Sequence, residues 1–233
     1  MRQVVLDTET TGLEVGKGHR IIEIGCIEII ERRFTDKHLH HYLNPEYEID
    51  AGALAVHGLT KEFLSDKPKF AEIIDELLQF VAGAELIIHN APFDVAFLHN
   101  ELKLVGDHYG CIADHGSVLD TLVMARERYP GQKNSLDALC KRLNVDNSQR
   151  NFHGALLDAR LLAEVYLRMT AGQAELGLIA ESGAARSNEE RSIQADLSRL
   201  RVVYANEHEL GAHETRLRAI ANAAKQGCLW LEN

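Results

Sequence analysis

The sequence predicts an α/β domain built on one mixed five-stranded sheet, and three observations lead there. The first forty-odd residues hold three strand-like runs separated by short turns, the pattern of an antiparallel meander. After them helical and strand-like periodicities alternate, which adds parallel strands to a sheet and packs helices on both of its faces. The chain has 233 residues, of which 45% are hydrophobic, enough for one large domain with an appended tail.

The elements follow in order. Val4-Val5-Leu6 marks a buried strand over about 3–8, and Thr10-Thr11-Gly12 marks its exit. His19 to Ile30 is a long, partly alternating strand, and Leu39 to Leu43 a shorter one ended by Asn44-Pro45. Phe70, Ile73, Ile74, Leu77, Leu78 and Val81 recur at helical spacing over 69–81, and Gly83 stops that helix. Leu86-Ile87-Ile88 is a buried strand. Residues 92–104 form a helix with Pro92 in its first turn. Ser117-Val118-Leu119 is a short strand running into a helix that ends near 128. Ser135 caps a helix over 135–143, and 154–169 is another with apolar faces. After Thr170 the texture changes. Residues 180–192 are rich in Gly, Ala, Ser, Glu and Arg, as a flexible linker is. Beyond lie a strand-like 201–204 and a helix-like 207–226, a piece too small to fold well alone.

Composition excludes several classes. No apolar stretch approaches the roughly 20 residues that span a bilayer, so no membrane contact is expected. Met1-Arg2-Gln3 runs straight into the first strand and leaves no room for a signal peptide. Cys26, Cys111, Cys140 and Cys228 are scattered, as reduced thiols of a cytoplasmic protein are, and form no zinc pattern. The net charge of −10 is unlike that of a protein gripping duplex DNA through its phosphates, although an enzyme that holds a phosphodiester through metal ions needs no basic surface.

Chemistry enters at Asp7-Thr8-Glu9. On a strand, residues i and i+2 share a face, so two carboxylates leave one side of a core strand at its end. Like charges so close resist burial unless a cation sits between them, and oxygen donors without cysteine favour a hard ion, Mg²⁺ or Mn²⁺. A lone Asp-x-Glu is more often a solvated pair. Asp94 follows a buried strand at the start of a helix, where an acid commonly serves only the helix dipole. Asp158 lies among apolar neighbours about one turn into the last strong helix, where a carboxylate needs a partner. His153 precedes that helix on a loop within reach of the same place. Together four acids and one histidine stand at the ends of strands and starts of helices, where open α/β sheets build sites.

Asp7-Thr8-Glu9-Thr10-Thr11-Gly12, His89-Asn90-Ala91-Pro92-Phe93-Asp94 and His153-Gly154-Ala155-Leu156-Leu157-Asp158 resemble the three motifs of the DEDDh 3′–5′ exonucleases, whose fold is RNase H-like. The spacing His153-x4-Asp158 is similar to that of the histidine-bearing branch. The resemblance covers about 3–170. Val56-His57-Gly58-Leu59-Thr60, 134–140 and Arg201-Val202-Val203 extend it toward the branch that proofreads for bacterial DNA polymerase III.

The resemblance implies that Asp7, Glu9, Asp94 and Asp158 hold two divalent cations, Mg²⁺ or Mn²⁺, and that His153 is the general base. Two ions about 3.5–4 Å apart stabilise the attacking and the leaving oxygen of an in-line displacement. The substrate is then a single-stranded or frayed 3′ end of DNA, and the product a nucleoside 5′-monophosphate. Thr8, Thr10, Leu13, His57, Asn90 and Phe93 match positions around the terminal nucleotide, though Phe93 is as easily a core residue. One position departs from the family: five before His57, where an acid is common, stands Gly52.

The same resemblance divides the chain into an exonuclease domain at 1–172, a linker at 173–192 and a tail at 193–233. Gln173, Leu176 and Leu178 are similar to a short motif that binds the sliding clamp. The tail resembles a segment that binds the polymerase alpha subunit, and a small accessory subunit is a further candidate partner. Two other readings stay open: an RNA-trimming member of the same family, and a chain whose main task is to tether polymerase to clamp.

Overall fold

The computed structural model describes residues 1–150, 152–171 and 204–223, which fall into two compact units. In the first unit a five-stranded sheet has the order β3-β2-β1-β4-β5, with β1 Arg2–Thr10, β2 Ile21–Ile30, β3 Arg33–Tyr42, β4 Glu85–Ile88 and β5 Ser117–Asp120. β1 pairs antiparallel with β2, and β2 with β3, while β4 and β5 add in parallel on the other side of β1. The predicted mixed sheet is present, with β1 at its centre.

Alternation along the strands divides the core in two. Val4 and Leu6 of β1, Ile24 and Cys26 of β2, and Leu86 and Ile88 of β4 face α3 (Phe70–Val81) and α4 (Ala91–Val105). Val5, Ile27, Ile29 and Ile87 face α7 (Leu136–Leu143) and α8 (Ala155–Thr170). α3 alone buries six apolar side chains, each contributing about 1.5–3 kcal/mol relative to exposure. Asp7 and Glu9 therefore continue the Val5 row, toward α8, where the apolar row runs out at the strand end.

Three short helices escape the sequence reading: α1 (Ala51–His57), α2 (Lys61–Leu64) and α5 (Ile112–His115). None completes the two turns that a periodicity argument needs. α6 (Thr121–Arg128) follows β5 directly, and the Asp120 side chain caps it by accepting from Leu122 N and Val123 N. Three strands differ in their limits from expectation. β1 runs over Arg2–Thr10 where about 3–8 was expected, so Thr10 belongs to the strand rather than to its exit. β2 starts at Ile21 rather than at His19. β3 runs over Arg33–Tyr42, whereas Leu39–Leu43 was expected, because its first half is a polar edge with no buried face. The β2–β3 turn is carried by Glu31 and Arg32, both at positive φ (49° and 62°). That geometry usually selects Asn or Gly, so no turn signal shows in the sequence.

Cys26 and Cys140 are buried free thiols and Cys111 is half-buried; Cys228 lies outside the described residues. In the second unit α9 spans Glu207–Ala223 and buries none of its own residues. Tyr204, expected to end a strand, is exposed and in no regular element. Its companions Arg201-Val202-Val203, the linker 173–192, the segment Gln173, Leu176 and Leu178, and the apolar tail positions Leu197, Leu200, Leu229 and Trp230 all lie outside the described residues. Among the described residues no helix is long and apolar enough to cross a membrane.

Candidate active site

The three motif segments meet at one end of the sheet. Their side chains line a cleft of about 710 Å³ that includes Asp7, Glu9, Asp94, His153 and Asp158. Each reaches it by a different local device. Asp7 and Glu9 stand at the end of β1, which bulges between Glu9 and Thr10. Asn90 turns the chain from β4 into α4 in the left-handed region (φ 65°), which Asn tolerates better than most residues, and its N–H donates to Asp120 Oδ1 at 3.1 Å. That turn sets Asp94 in the first turn of α4. There Thr8, on the opposite side of β1 from Asp7, donates its hydroxyl to Asp94 Oδ1 at 2.6 Å.

Asp158 depends on a close approach of helix to strand. A Cβ on Gly25 would come within 2.3 Å of the Ala155 carbonyl carbon and of Leu156 N. Gly25 pairs with Asp7 across β1 and β2, so the start of α8 rests on β2 beside the β1 acids. A glycine inside a strand often marks such an approach, and that signal was present in the sequence. His153 sits on the loop before α8, is 43% exposed, and donates its backbone N–H to Val56 O at 3.0 Å.

Burial first, and the crowding of negative charge after it, set the electrostatics. Burial, then the charges of Asp94, Asp158 and Glu9, push the Asp7 carboxyl well above the usual range. Burial, Asp158 and Glu23 push Glu9 up to about 8. Burial lifts Asp94 to about 7 against the opposing hydrogen bond from Thr8. His153 is held below the ordinary histidine value, by burial and then by the Arg150 charge. An oxygen of Glu9, an oxygen of Asp158 and a ring nitrogen of His153 all lie within 4.8 Å of one another. Mutually repelling, partly desolvated carboxylates are a donor set that fits a hard divalent cation.

Three residues of the site were not singled out from the sequence. Arg150 donates from Nε and Nη2 to the two oxygens of Asp158 at 2.6 and 2.5 Å, and from Nη1 to Asp137 Oδ1 at 2.7 Å. Glu23 is the cross-strand neighbour of Glu9, is 2% exposed and bonds His40 Nε2 at 2.8 Å. An acid inside an apolar strand was its visible signal; Arg150 and Asp137 had none.

The remaining candidates group beside the cleft. Thr8, Thr10, Leu13, Gly52, His57 and Phe93 line a second, more apolar cavity of about 480 Å³. Leu13 is 79% exposed, whereas His57 is buried. His57 Nδ1 accepts from Leu59 N at 2.9 Å, so the neutral ring carries its proton on Nε2, and that atom has no partner. Thr10 turns its hydroxyl onto Gly12 O at 2.7 Å. A side chain at Gly52 would meet open space. Phe93 packs partly against the core, its ring 4.9 Å from that of Phe97, and also lines both cavities; Asn90 lines the main cleft.

Known proteins resemble this chain in sequence and in fold. The family described as Exonuclease (RNase_T) matches residues 4–166. The DNA polymerase III subunit epsilon of Salmonella typhimurium is 49% identical, over 98% of this chain and 97% of its own length. That of Escherichia coli K12 is 47% identical over the same shares. Among solved structures, exonuclease X in complex with 5′-overhanging duplex DNA superposes with a TM-score of 0.57 at 24% identity, covering 74% of this chain and 93% of that one. E. coli exonuclease I in complex with a dA16 oligonucleotide gives 0.63 at 18% identity, covering 78% and 43%. At such identities these two show the fold alone.

Proposed function

The chain belongs to the exonuclease family, in its DNA polymerase III epsilon branch, and from that premise we propose the following account of its work. It is a 3′–5′ exonuclease that proofreads for a replicative DNA polymerase, hydrolysing the terminal phosphodiester of a single-stranded or mismatched 3′ end of DNA to a nucleoside 5′-monophosphate. The observation that carries this is the convergence of Asp7, Glu9, Asp94, Asp158 and His153 on one cleft.

The family is dependent on divalent metal. Asp7, Glu9, Asp94 and Asp158 would hold two ions, Mg²⁺ or Mn²⁺. When bound, those ions supply charge neutralisation and Lewis-acid polarisation of the phosphodiester. His153 accepts the proton of the attacking water. Its depressed pKa keeps the ring neutral, hence able to accept, at pH 7. Thr8 holds Asp94 in place by its hydroxyl. The neighbouring apolar cavity takes the terminal nucleoside, with Leu13 and Phe93 as its contact surface and His57 Nε2 as a buried donor; Thr10 and Asn90 shape its rim. At Gly52 no side chain stands where an acid is common in the family, although Asp50 lines the same cavity.

No base-specific contact is needed. Unpairing the end costs a few kcal/mol, and least at a mismatch, so the site selects errors by their fraying. RNA trimming does not explain the likeness to epsilon subunits along almost the whole chain. A tethering role coexists with catalysis, since joined modules gain effective concentration. The domain at 1–172 carries the chemistry, the tail at 193–233 binds the polymerase alpha subunit, and 173–192 links them, with Gln173, Leu176 and Leu178 as a clamp contact and a small accessory subunit as a further partner. The protein works in the cytoplasm.

A mismatched 3′-end degradation assay in Mg²⁺ compares the intact chain with Asp7→Ala. The variant is expected to trim at background rate; equal trimming refutes the metal-site assignment. Truncation after Ala185 is expected to leave single-strand hydrolysis unchanged and to abolish co-purification with the polymerase. Retained co-purification would place the partner surface elsewhere.

A further inference from the structure

We propose that Arg150 is an internal rival of the divalent ion: its guanidinium occupies both oxygens of Asp158 together with Nδ1 of His153, and it yields them when the ion binds. This rests on the reading of the acid cluster as a metal site.

The geometry is that of a fork closed on a carboxylate. Nε and Nη2 take one Asp158 oxygen each, at 2.6 and 2.5 Å, while Nη2 also lies 3.1 Å from His153 Nδ1. The arginine side chain is only 7% exposed and Asp158 4%, so the pair is shielded from water. Among the described residues no other side chain donates hydrogen bonds to a proposed ligand and to the proposed base at once. Guanidinium nitrogens carry no lone pair, so Nη2 can only donate, and Nδ1 must accept. A neutral His153 then carries its proton on Nε2, and its one available lone pair is spent on Arg150.

A divalent ion on Asp158 would stand beside a full positive charge, and the two repel. Part of the fork must therefore open. Asp137 gives the released group somewhere to stay: it accepts from Nη1 at 2.7 Å, it is 59% exposed, and it lines the same cleft. Swinging about that anchor, Arg150 clears Asp158 and returns the Nδ1 lone pair to His153. One displacement thus readies a ligand and the base together. Without the ion, the same fork neutralises a buried carboxylate that otherwise repels Asp7 and Glu9.

A supporting role makes the opposite prediction. Outer residues that orient a metal ligand typically cost about 10–100-fold in metal affinity when removed. A rival raises affinity when removed. Calorimetric Mn²⁺ titration of the full chain, with melting temperature in chelator and in saturating Mn²⁺, separates the two. Arg150→Gln is expected to bind Mn²⁺ about ten-fold more tightly, the scale of coupling between linked sites. It is expected to melt lower than the parent in chelator and level with it in Mn²⁺. Arg150→Lys keeps the charge but loses the fork, so it too is expected to bind more tightly, by a smaller factor. If Arg150→Gln does not fold, Arg150→Lys decides. Unchanged or weaker binding overturns the inference. So does tightening in Arg150→Gln with parental affinity in Arg150→Lys, which marks a simple field effect. If the parent chain and Asp7→Ala take up Mn²⁺ equally, it is the metal-site reading that fails.

Discussion

Asp94→Asn is expected to slow 3′-end hydrolysis by about a thousand-fold, the scale of losing one preorganised electrostatic contact, while raising the melting temperature in chelator at pH 8. The two effects share a cause. Asp94 is 4% exposed, and burial lifts its pKa to about 7. An unfolded aspartate ionises near 3.9, so between about pH 4 and pH 7 the folded chain binds more protons than the unfolded one. Stability therefore falls as pH rises through that window, by about 1.4 kcal/mol per pH unit for each full proton of difference. Glu9, lifted to about 8, extends the fall by a further unit. Asn has the shape of Asp, can accept the same Thr8 hydroxyl bond and carries no charge, so it removes one contribution to the loss. Divalent ions should offset it in the parent chain, with release of protons on binding. Melting curves from pH 5 to pH 8, with chelator and with Mn²⁺, check this. A parent chain whose stability in chelator is flat or rises over that range would show that the acids are not crowded as described.

Gly25→Ala is expected to cost about 3 kcal/mol or more of stability, at or above the upper end for overpacking, and most of the activity with it. The added methyl would meet the Ala155 carbonyl carbon and Leu156 N at 2.3 Å. Both are backbone, in the first turn of α8, and neither can rotate away as a side chain could. Either α8 lifts from the sheet or β2 bends, and both shifts move Asp158 relative to Asp7, which pairs with Gly25. Displacements of about 1 Å in a catalytic constellation can cost a hundred-fold in rate. Chemical denaturation and the degradation assay together test the point. Parental stability would show that the sheet and helix tolerate more separation than their contact suggests.

The sequence made much of this legible. The mixed sheet, three antiparallel strands with parallel additions, was legible from strands that are continuously apolar, such as Val4-Val5-Leu6 and Leu86-Ile87-Ile88, whereas the order of its strands was not. The acids and His153 were legible because each sits at a fixed offset from a strand end or helix start. What stayed hidden depends on contacts distant in the chain. Arg150 reads as an ordinary loop cation until α8 folds back beneath it. The first half of β3 has no buried face, so it carries no alternation. Glu31 and Arg32 adopt a turn that their side chains do not advertise. The short helices α1, α2 and α5 are set by neighbours and caps rather than by period.

The acids of the cleft span the length of the domain: Asp7 and Glu9 come from its opening strand, Asp94 from its middle and Asp158 from its closing helix. During synthesis the first pair leaves the ribosome long before the last acid does. Domains fold as units once their sequence has emerged, so the cleft stays incomplete until α8 has docked onto Gly25. A half-made copy is thus expected to be harmless to nucleic acid, and the cell meets this nuclease only as a finished molecule.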